Sequence, residues 1–157
     1  MCVQCERRSV QLVVADYRQA VRVRGWAMAS VRATPSRAGF SYTVGLTRHH
    51  GHPELLATGL TPPEAGGLLT ELARRVRAGA RFSPGDVLTP AGSHRLQLVG
   101  VADPAQLTHA QAIYAGPSGP VPALQVVWSD HDGHWPWQPG WPGRAGDQPL
   151  FGLPIHH

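Results

Sequence analysis

The chain has 157 residues, of which 42% are hydrophobic and 15% are charged. This balance is typical of one globular domain, and it excludes a charge-rich disordered chain and a membrane protein. All 14 basic residues are arginine, so mechanisms that need a lysine are excluded, among them Schiff-base catalysis and the phosphate-binding P-loop.

The N-terminal residues lack the features of an export signal. No apolar core lies between Met1 and Arg8, and the apolar run Leu12–Ala15 is too short to cross a bilayer. We therefore expect a cytoplasmic protein without a membrane partner, whose two cysteines are reduced thiols. A net charge of only +4 and the lack of a recognition motif argue against nucleic acid as a partner.

The first third of the chain predicts one helix and three strands. Asp16 can cap a helix over Tyr17–Arg24, and Gly25 ends it. Phe40, Tyr42, Val44 and Leu46 alternate with small or polar residues, which predicts a strand, and the turn-forming residues 34–39 join it to the preceding strand as a hairpin. The predicted strands cover Trp26–Ala33, Phe40–Leu46 and Glu54–Gly59, and the histidine-rich residues 48–53 are predicted as a loop.

A helix over Pro62–Ala78 is the element with the clearest sequence signals. Thr61 and Glu64 have the spacing of a capping box, in which each side chain accepts a hydrogen bond from the other residue's backbone. Prolines occupy the first helical positions, and Gly79 ends the helix.

The rest of the chain predicts two strands and a further helix. Asp103 and Gln106 repeat the capping signature and open a helix that runs to about Ala115. The strands cover Arg95–Val101 and Pro122–Trp128.

These elements predict a single α+β domain over residues 1–157, since neither an internal repeat nor a linker interrupts the chain. We expect a mainly antiparallel sheet of about five strands with about three helices. We expect residues 1–9 to form an arm that carries the cysteines and residues 135–157 to form a Trp/Pro/Gly-rich tail.

A series of short motifs runs along nearly the whole chain: Met1-Cys2-x-x-Cys5, Gly25-Trp26-Ala27, the strand residues 40–46, His52-Pro53-Glu54-Leu55, Gly59-Leu60, residues 109–114, residues 124–128 with Asp130, Trp135-Pro136-Trp137 and Gln148-Pro149. Taken in this order, the motifs resemble the bacterial family known as domain of unknown function 4262. The resemblance implies a small bacterial cytoplasmic protein and no particular activity. It singles out the N-terminal cysteines, His52 and the Trp-rich tail.

Cys2 and Cys5 form a C-x-x-C pair, which can chelate a soft metal ion through two thiolates. No second such pair exists, so histidines would have to complete a tetrahedral site. We predict a transition-metal site, with zinc the expected ion and no organic cofactor, formed by Cys2 and Cys5 with His52 or His109. The other histidines considered are His49, His50, His94, His131 and His134. In the alternative interpretation the cysteines are free thiols and the histidines are surface residues.

Three side chains are candidates for acid–base catalysis. His52 can form a pocket with Tyr42, and His109 lies on a predicted helix. In the alternative, His52 binds a backbone carbonyl and His109 is a core histidine without chemistry. Cys2 would become an N-terminal nucleophile if Met1 were removed, and a redox role for Cys2 and Cys5 is a further alternative.

Trp128, Trp135, Trp137 and Trp141 lie close together among prolines and glycines. They can line a ligand groove or pack the irregular tail across the sheet. Two functional hypotheses follow: a metal- or thiol-dependent enzyme that acts on a small substrate through a Cys/His site, and a non-catalytic module that binds a small molecule or a protein. An enzyme predicts a concave pocket where such side chains converge, whereas a module predicts a flat surface lined by Arg or Trp.

Overall fold

The sheet consists of two antiparallel groups of three strands that meet along one parallel pair. The computed structural model describes residues 16–36, 38–90, 94–143 and 146–155. The first group is β1 (Ala27–Val31), β2 (Phe40–Val44) and β3 (Glu54–Thr58), and the second is β4 (Val87–Leu88), β5 (Leu96–Gly100) and β6 (Ala123–Trp128). β3 runs parallel to β6, with Glu54 opposite Ala123, so the strand order is β1-β2-β3-β6-β5-β4.

Four α-helices lie in the described parts of the chain. They are α1 (residues 16–24), α2 (Leu46–His50), α3 (Pro62–Arg77) and α4 (Thr108–Tyr114), and a 3-10 turn (Pro104–Gln106) precedes α4. α3 packs on one face of the sheet, whereas α1 and α4 pack on the other. No helix in the described residues is long and apolar enough to pass through a bilayer.

Strand residues alternate between two hydrophobic clusters because successive side chains point to opposite faces of a sheet. On the α3 face, Leu55 and Ala57 pack with Leu69, Leu72 and other apolar residues of that helix. On the opposite face, Tyr42 and Leu56 pack with residues of α1 and α4, such as Val21 and Ala110.

The capping box of α3 forms as predicted. The Glu64 backbone N–H donates to the Thr61 hydroxyl at 3.3 Å, and the Thr61 N–H donates to the Glu64 carboxylate at 3.2 Å. The helix ends at Arg77, and Gly79 leaves it with a φ of 109°. The hairpin is also confirmed, because β1 pairs antiparallel with β2.

The predicted sheet of about five strands, mainly antiparallel and with about three helices, needs correction in detail, because one of the five strand pairings is parallel, the sheet has six strands and the described residues hold four α-helices. β4 has only two residues, which is too short for any periodicity to be detected. The parallel pairing of β3 with β6 joins segments far apart in sequence, and no local signal reports such a pairing.

The region predicted as the end of a strand and a histidine-rich loop contains α2 instead. Gly45 turns the chain with a φ of 108°, and the Glu54 carboxylate then accepts hydrogen bonds from the backbone N–H groups of Leu46 and Thr47. The prediction that an α-helix begins at a capping box on Asp103 is also wrong. The Asp103 carboxylate accepts from the Ala105 N–H and stabilises the 3-10 turn, and α4 begins only at Thr108.

The Trp-rich tail covers the face of the sheet opposite α3, next to β5 and β6. Trp135 is buried against Val99 and Val127, and Trp137 and Leu150 pack on this cluster. The buried amide of Gln125 donates to the Pro149 carbonyl and accepts from the Phe151 N–H. The tail therefore packs across the sheet, which is one of the two roles that its sequence indicates.

Candidate functional site

The parallel strands β3 and β6 end at the same edge of the sheet, which we call the carboxyl edge. α3 begins there, directly after β3, and β5 starts there because Leu96 lies opposite Trp128. Ligand sites of open sheets are common at such an edge, where the connections diverge and leave a crevice.

Two cavities lie at the carboxyl edge, and His94 lines both of them. The first, which we call the histidine cavity, has a volume of about 350 Å³. Its lining residues are His94, Arg95, Ser129, Asp130, His131, Asp132 and Gly133.

The second cavity, which we call the helix cavity, lies between α3 and Trp128 and has a volume of about 480 Å³. Its lining residues are Gly59, Leu60, Glu64, Gly67, Leu68, Glu71, His94, Leu96 and Trp128. The α3 residues in this set recur at intervals of three or four positions and so form one stripe along the helix.

The imidazole of His94 is the chemical group that the two cavities share. Its ring centroid lies 4.9 Å from that of His131 and 6.3 Å from that of Trp128. The Nδ1 atom is shielded from solvent, and it has no hydrogen-bond partner among the described residues. A shielded ring nitrogen without a partner is a group that a polar ligand can satisfy.

Trp128 is held in place at both its backbone and its indole. The Gln148 side chain accepts from the Trp128 N–H and donates to the Trp128 carbonyl, each at 2.9 Å. The indole N–H donates to the Thr58 carbonyl at 3.0 Å. Trp141 packs on this indole at 5.3 Å, and its own shielded indole nitrogen has no partner in the described part of the chain.

The loop after β6 is ordered by the Asp130 carboxylate. Asp130 accepts from the backbone N–H groups of Asp132 and His134 and binds the His134 Nδ1 at 2.9 Å. Partial burial raises the pKa of Asp130, but the hydrogen bonds from His134 and Asp132 outweigh it and hold this pKa below its usual value.

Asp130, Asp132 and His134 have ligand atoms within 4.8 Å of one another, so they form the group best spaced for a cation among the described residues. Since Asp130 is already hydrogen-bonded on both oxygens, this group is explained as a structural turn.

Two adjacent glycines in α3, Gly66 and Gly67, have no packing reason to be glycine, because a Cβ at either position would meet no atom within 4 Å. A glycine inside a helix costs about 1 kcal/mol relative to alanine. We therefore expect Gly66→Ala and Gly67→Ala each to raise the free energy of unfolding by about 0.5–1 kcal/mol, as measured by urea denaturation. A loss of stability at either position would contradict the open space seen there.

His52 is buried on the α3 side of the sheet, and both ring nitrogens have partners. Nε2 accepts from the Phe82 N–H at 2.9 Å, so Nδ1 carries the proton and donates to the Pro53 carbonyl at 2.8 Å. Burial, together with the nearby Arg81, lowers the pKa of His52. This geometry matches the alternative in which His52 binds a backbone carbonyl, and it leaves no ring nitrogen for a metal or substrate.

The lowered pKa of His52 predicts a pH dependence of stability. Below the ordinary histidine pKa of 6.5, His52 binds a proton in the unfolded chain but stays neutral in the folded chain. The free energy of unfolding therefore falls as the pH falls. The contribution of His52 to this slope is at most about 1.4 kcal/mol per pH unit. In His52→Gln the side-chain oxygen can still accept from the Phe82 N–H. We expect the free energy of unfolding of this variant to fall less between pH 7 and 5 than that of His49→Gln, a control at an exposed histidine. Equal slopes in the two variants would contradict this role of His52.

Tyr42 and His109 come together on the face opposite α3. The buried Tyr42 hydroxyl accepts from the His109 backbone N–H at 3.1 Å, and the His109 Nδ1 binds the Tyr17 hydroxyl at 2.7 Å. Burial raises the pKa of both Tyr42 and Tyr17. His52 contacts Phe82 in the other cluster, so the structure does not bring it into one pocket with Tyr42 or His109.

Cys2 and Cys5, the other two predicted metal ligands, lie outside the described residues. The zinc site that they would form therefore stays a prediction.

The sequence analysis considered His94, His131 and Trp128 separately, as possible metal ligands and as part of a ligand groove, but it did not place them together at one site. His94 and His131 are far apart in the chain and lie in different connections, so no spacing relates them. One signal was available in Gly66-Gly67, because two glycines weaken a helix that is otherwise strongly specified.

A comparison with known families gives one match. Residues 20–142, from α1 to the tryptophans of the tail, match the family described as Domain of unknown function (DUF4262). Neither the curated proteins nor the solved structures contain a significant match. Since the match covers most of the chain and agrees with the motifs that run along it, the chain belongs to the DUF4262 family.

Proposed function

We propose that this protein is an enzyme that binds a small polar organic molecule at the carboxyl edge and transfers a proton through His94. The observation that carries the proposal is the shielded His94 Nδ1, which lacks a partner among the described residues and belongs to a ring that lines both cavities. Imidazole is the side chain best suited to exchange protons near neutral pH, and His131 lies beside it.

The shape of the site supports an enzyme over a module with a flat binding surface. Histidine and tryptophan side chains converge there on a concave surface, as the enzyme hypothesis predicts. Hydrogen bonds to Gln148 and Thr58 fix Trp128 before any ligand arrives, which reduces the ordering that binding requires.

Gly67 gives further support. It lines the helix cavity, and any larger side chain at this position would extend into it. Glycine at this position makes the helix less stable than alanine would, but it leaves the cavity open. Such a loss of stability is common where a site is needed for function.

The proposal extends to a transition metal, with zinc the expected ion, and to a cytoplasmic location, where the thiolates of Cys2 and Cys5 would stay reduced. His52 is not available to complete such a site, because both of its ring nitrogens are already hydrogen-bonded, so His109 is the histidine that we propose as the further ligand. Elemental analysis of tag-free protein should give about one equivalent of zinc, and a Cys2→Ser, Cys5→Ser double variant should lose it. Equal metal content in the two proteins would remove the cysteines from the site.

Binding at the carboxyl edge can be tested without knowing the substrate. A library of small polar compounds is screened by ligand-observed NMR against the wild type, Gly67→Phe and Gly66→Phe. Both variants add the same side chain to the same helix turn, but only residue 67 lines the cavity. Compounds that bind the wild type and Gly66→Phe but not Gly67→Phe identify the cavity as the binding site. If Gly67→Phe binds the same compounds, the cavity is not the site.

The catalytic role is tested on the compounds that bind. Each is incubated with the protein and followed by NMR for chemical change or for exchange of carbon-bound protons with deuterium. We expect His94→Gln to keep binding within a few-fold and to lose turnover by about two orders of magnitude or more. Binding without any turnover in the wild type would favour the alternative of a non-catalytic binding module.

A further inference from the structure

We infer that the helix cavity receives a positively charged organic group of the substrate, such as a primary ammonium or a guanidinium. This inference rests on the proposed function and names the chemical class that the cavity selects.

Charge is the first argument. Glu64 and Glu71 both line the cavity, and the described lining residues include no arginine. The Thr61 hydroxyl donates to the Glu64 carboxylate and, with the Thr61 N–H, lowers the pKa of this carboxyl group, so Glu64 is ionised at neutral pH. Glu71 shares one of its oxygens with Arg75 at 2.9 Å and keeps the acceptor capacity of the other.

The N-terminus of α3 opposes this charge only weakly. A helix N-terminus carries about half a positive charge, and its effect fades within the first turn. Glu64 lies in that turn and Glu71 lies two turns further along. Arg75 balances the charge of Glu71 in part, and the remaining negative charge still exceeds the half positive charge of the helix N-terminus, so the cavity is negative.

Trp128 is the second argument, because an indole attracts cations through the negative charge of its ring faces. It lines the same cavity, and its hydrogen bond to Thr58 prevents it from turning away when a ligand enters. A cavity lined by both an indole and carboxylates is suited to organic cations, since the apolar part of the ligand packs on the ring while its charge is compensated.

The two cavities together give the bound molecule an orientation. With the cation held between α3 and Trp128, the rest of the substrate extends past His94 toward the histidine cavity, where Arg95 and His131 lie. The reacting atoms would then meet the imidazole of His94 and not the carboxylates.

The experiment compares benzylamine, which is cationic at pH 7, with benzyl alcohol, which has a similar shape and no charge. Dissociation constants are measured by ligand-observed NMR, with tryptophan fluorescence as a second signal. We expect benzylamine to bind at least about tenfold more tightly than benzyl alcohol. Raising the salt concentration should weaken the binding of benzylamine only.

Glu64→Gln and Glu71→Gln should each weaken benzylamine about three- to tenfold and leave benzyl alcohol unchanged. Glutamine at position 64 can still serve the capping box, so the helix is retained. Asp103→Asn removes one negative charge at the opposite edge of the sheet and serves as the matched control.

The outcomes separate the two proposals. If both compounds bind equally and both are lost in Gly67→Phe, the cavity binds small molecules but does not select cations, and the inference is overturned. If Asp103→Asn weakens benzylamine as much as the glutamate variants do, the effect is one of net charge and the inference is overturned as well. If neither compound binds and the library screen finds no ligand for the cavity, the proposed function fails together with the inference.

Discussion

Replacing Glu54 by glutamine should lower the free energy of unfolding by about 3 kcal/mol, because it breaks a buried network of hydrogen bonds to a charged group. Glu54 is fully buried, and its carboxylate accepts from the Thr43 hydroxyl at 2.9 Å and from the backbone N–H groups of Leu46 and Thr47 at 3.1 Å. The Gly45 N–H adds a fourth hydrogen bond at 3.3 Å.

The site around Glu54 presents only donors, and this determines what glutamine would do. Burial raises the pKa of Glu54 above its usual value, and the hydrogen bonds from Thr47, Thr43 and Leu46 offset this rise only in part. A carboxylate offers acceptors on both oxygens, but the glutamine NH₂ group would face N–H or O–H donors and leave them unpaired. The backbone N–H groups at the N-terminus of α2 would then lose the carboxylate that accepts their hydrogen bonds.

Urea denaturation followed by circular dichroism measures this loss for Glu54→Gln. Glu64→Gln is the matched control, because it makes the same chemical change at an exposed capping residue and should cost less than about 1 kcal/mol. Equal losses in the two variants would show that burial of the Glu54 carboxylate does not matter.

Gly59→Ala should also destabilise the protein by about 3 kcal/mol, and it should detach the tail from the carboxyl edge. Gly59 has a φ of 75°, and a Cβ there would overlap the Asp147 carbonyl oxygen. That oxygen belongs to the backbone, so it can move only if the tail moves. Trp128 would then lose the Gln148 amide that holds its backbone.

Gly51→Ala is the control for Gly59→Ala. Gly51 has a similar φ of 62°, but a Cβ there would meet no atom within 4 Å. It should cost about 1 kcal/mol from the backbone conformation alone and leave the tryptophan fluorescence unchanged. The same loss and the same fluorescence in both variants would mean that the tail does not press on Gly59.

The elements that could be predicted from the sequence are those with local causes. α3 was predicted almost to the residue, because its capping box and its terminal Gly79 act within a few positions. The hairpin of β1 and β2 was predicted for a similar reason, since alternation and a turn specify it locally.

The elements that could not be predicted have distant causes. α2 depends on the carboxylate of Glu54, which reaches back along the chain after Gly45 has turned it. The contact between His94 and His131 depends on the pairing of β5 with β6, which brings these two distant residues side by side. For His52 the sequence motif suggested a functional residue, but in the structure its imidazole binds only backbone groups.

The parallel pairing of β3 with β6 has a consequence for the order in which the protein folds. Within each antiparallel group every strand pairs with the next strand along the chain, whereas joining the groups closes a long loop that includes α3, β4 and β5. Loop closure of this kind costs chain entropy before it gains contacts, so it is expected to limit the rate of folding. The helix cavity has walls from both groups, Gly59 on one side and Trp128 on the other. A molecule bound there would contact both groups at this junction, and it would stabilise the folded protein by binding to the folded state alone.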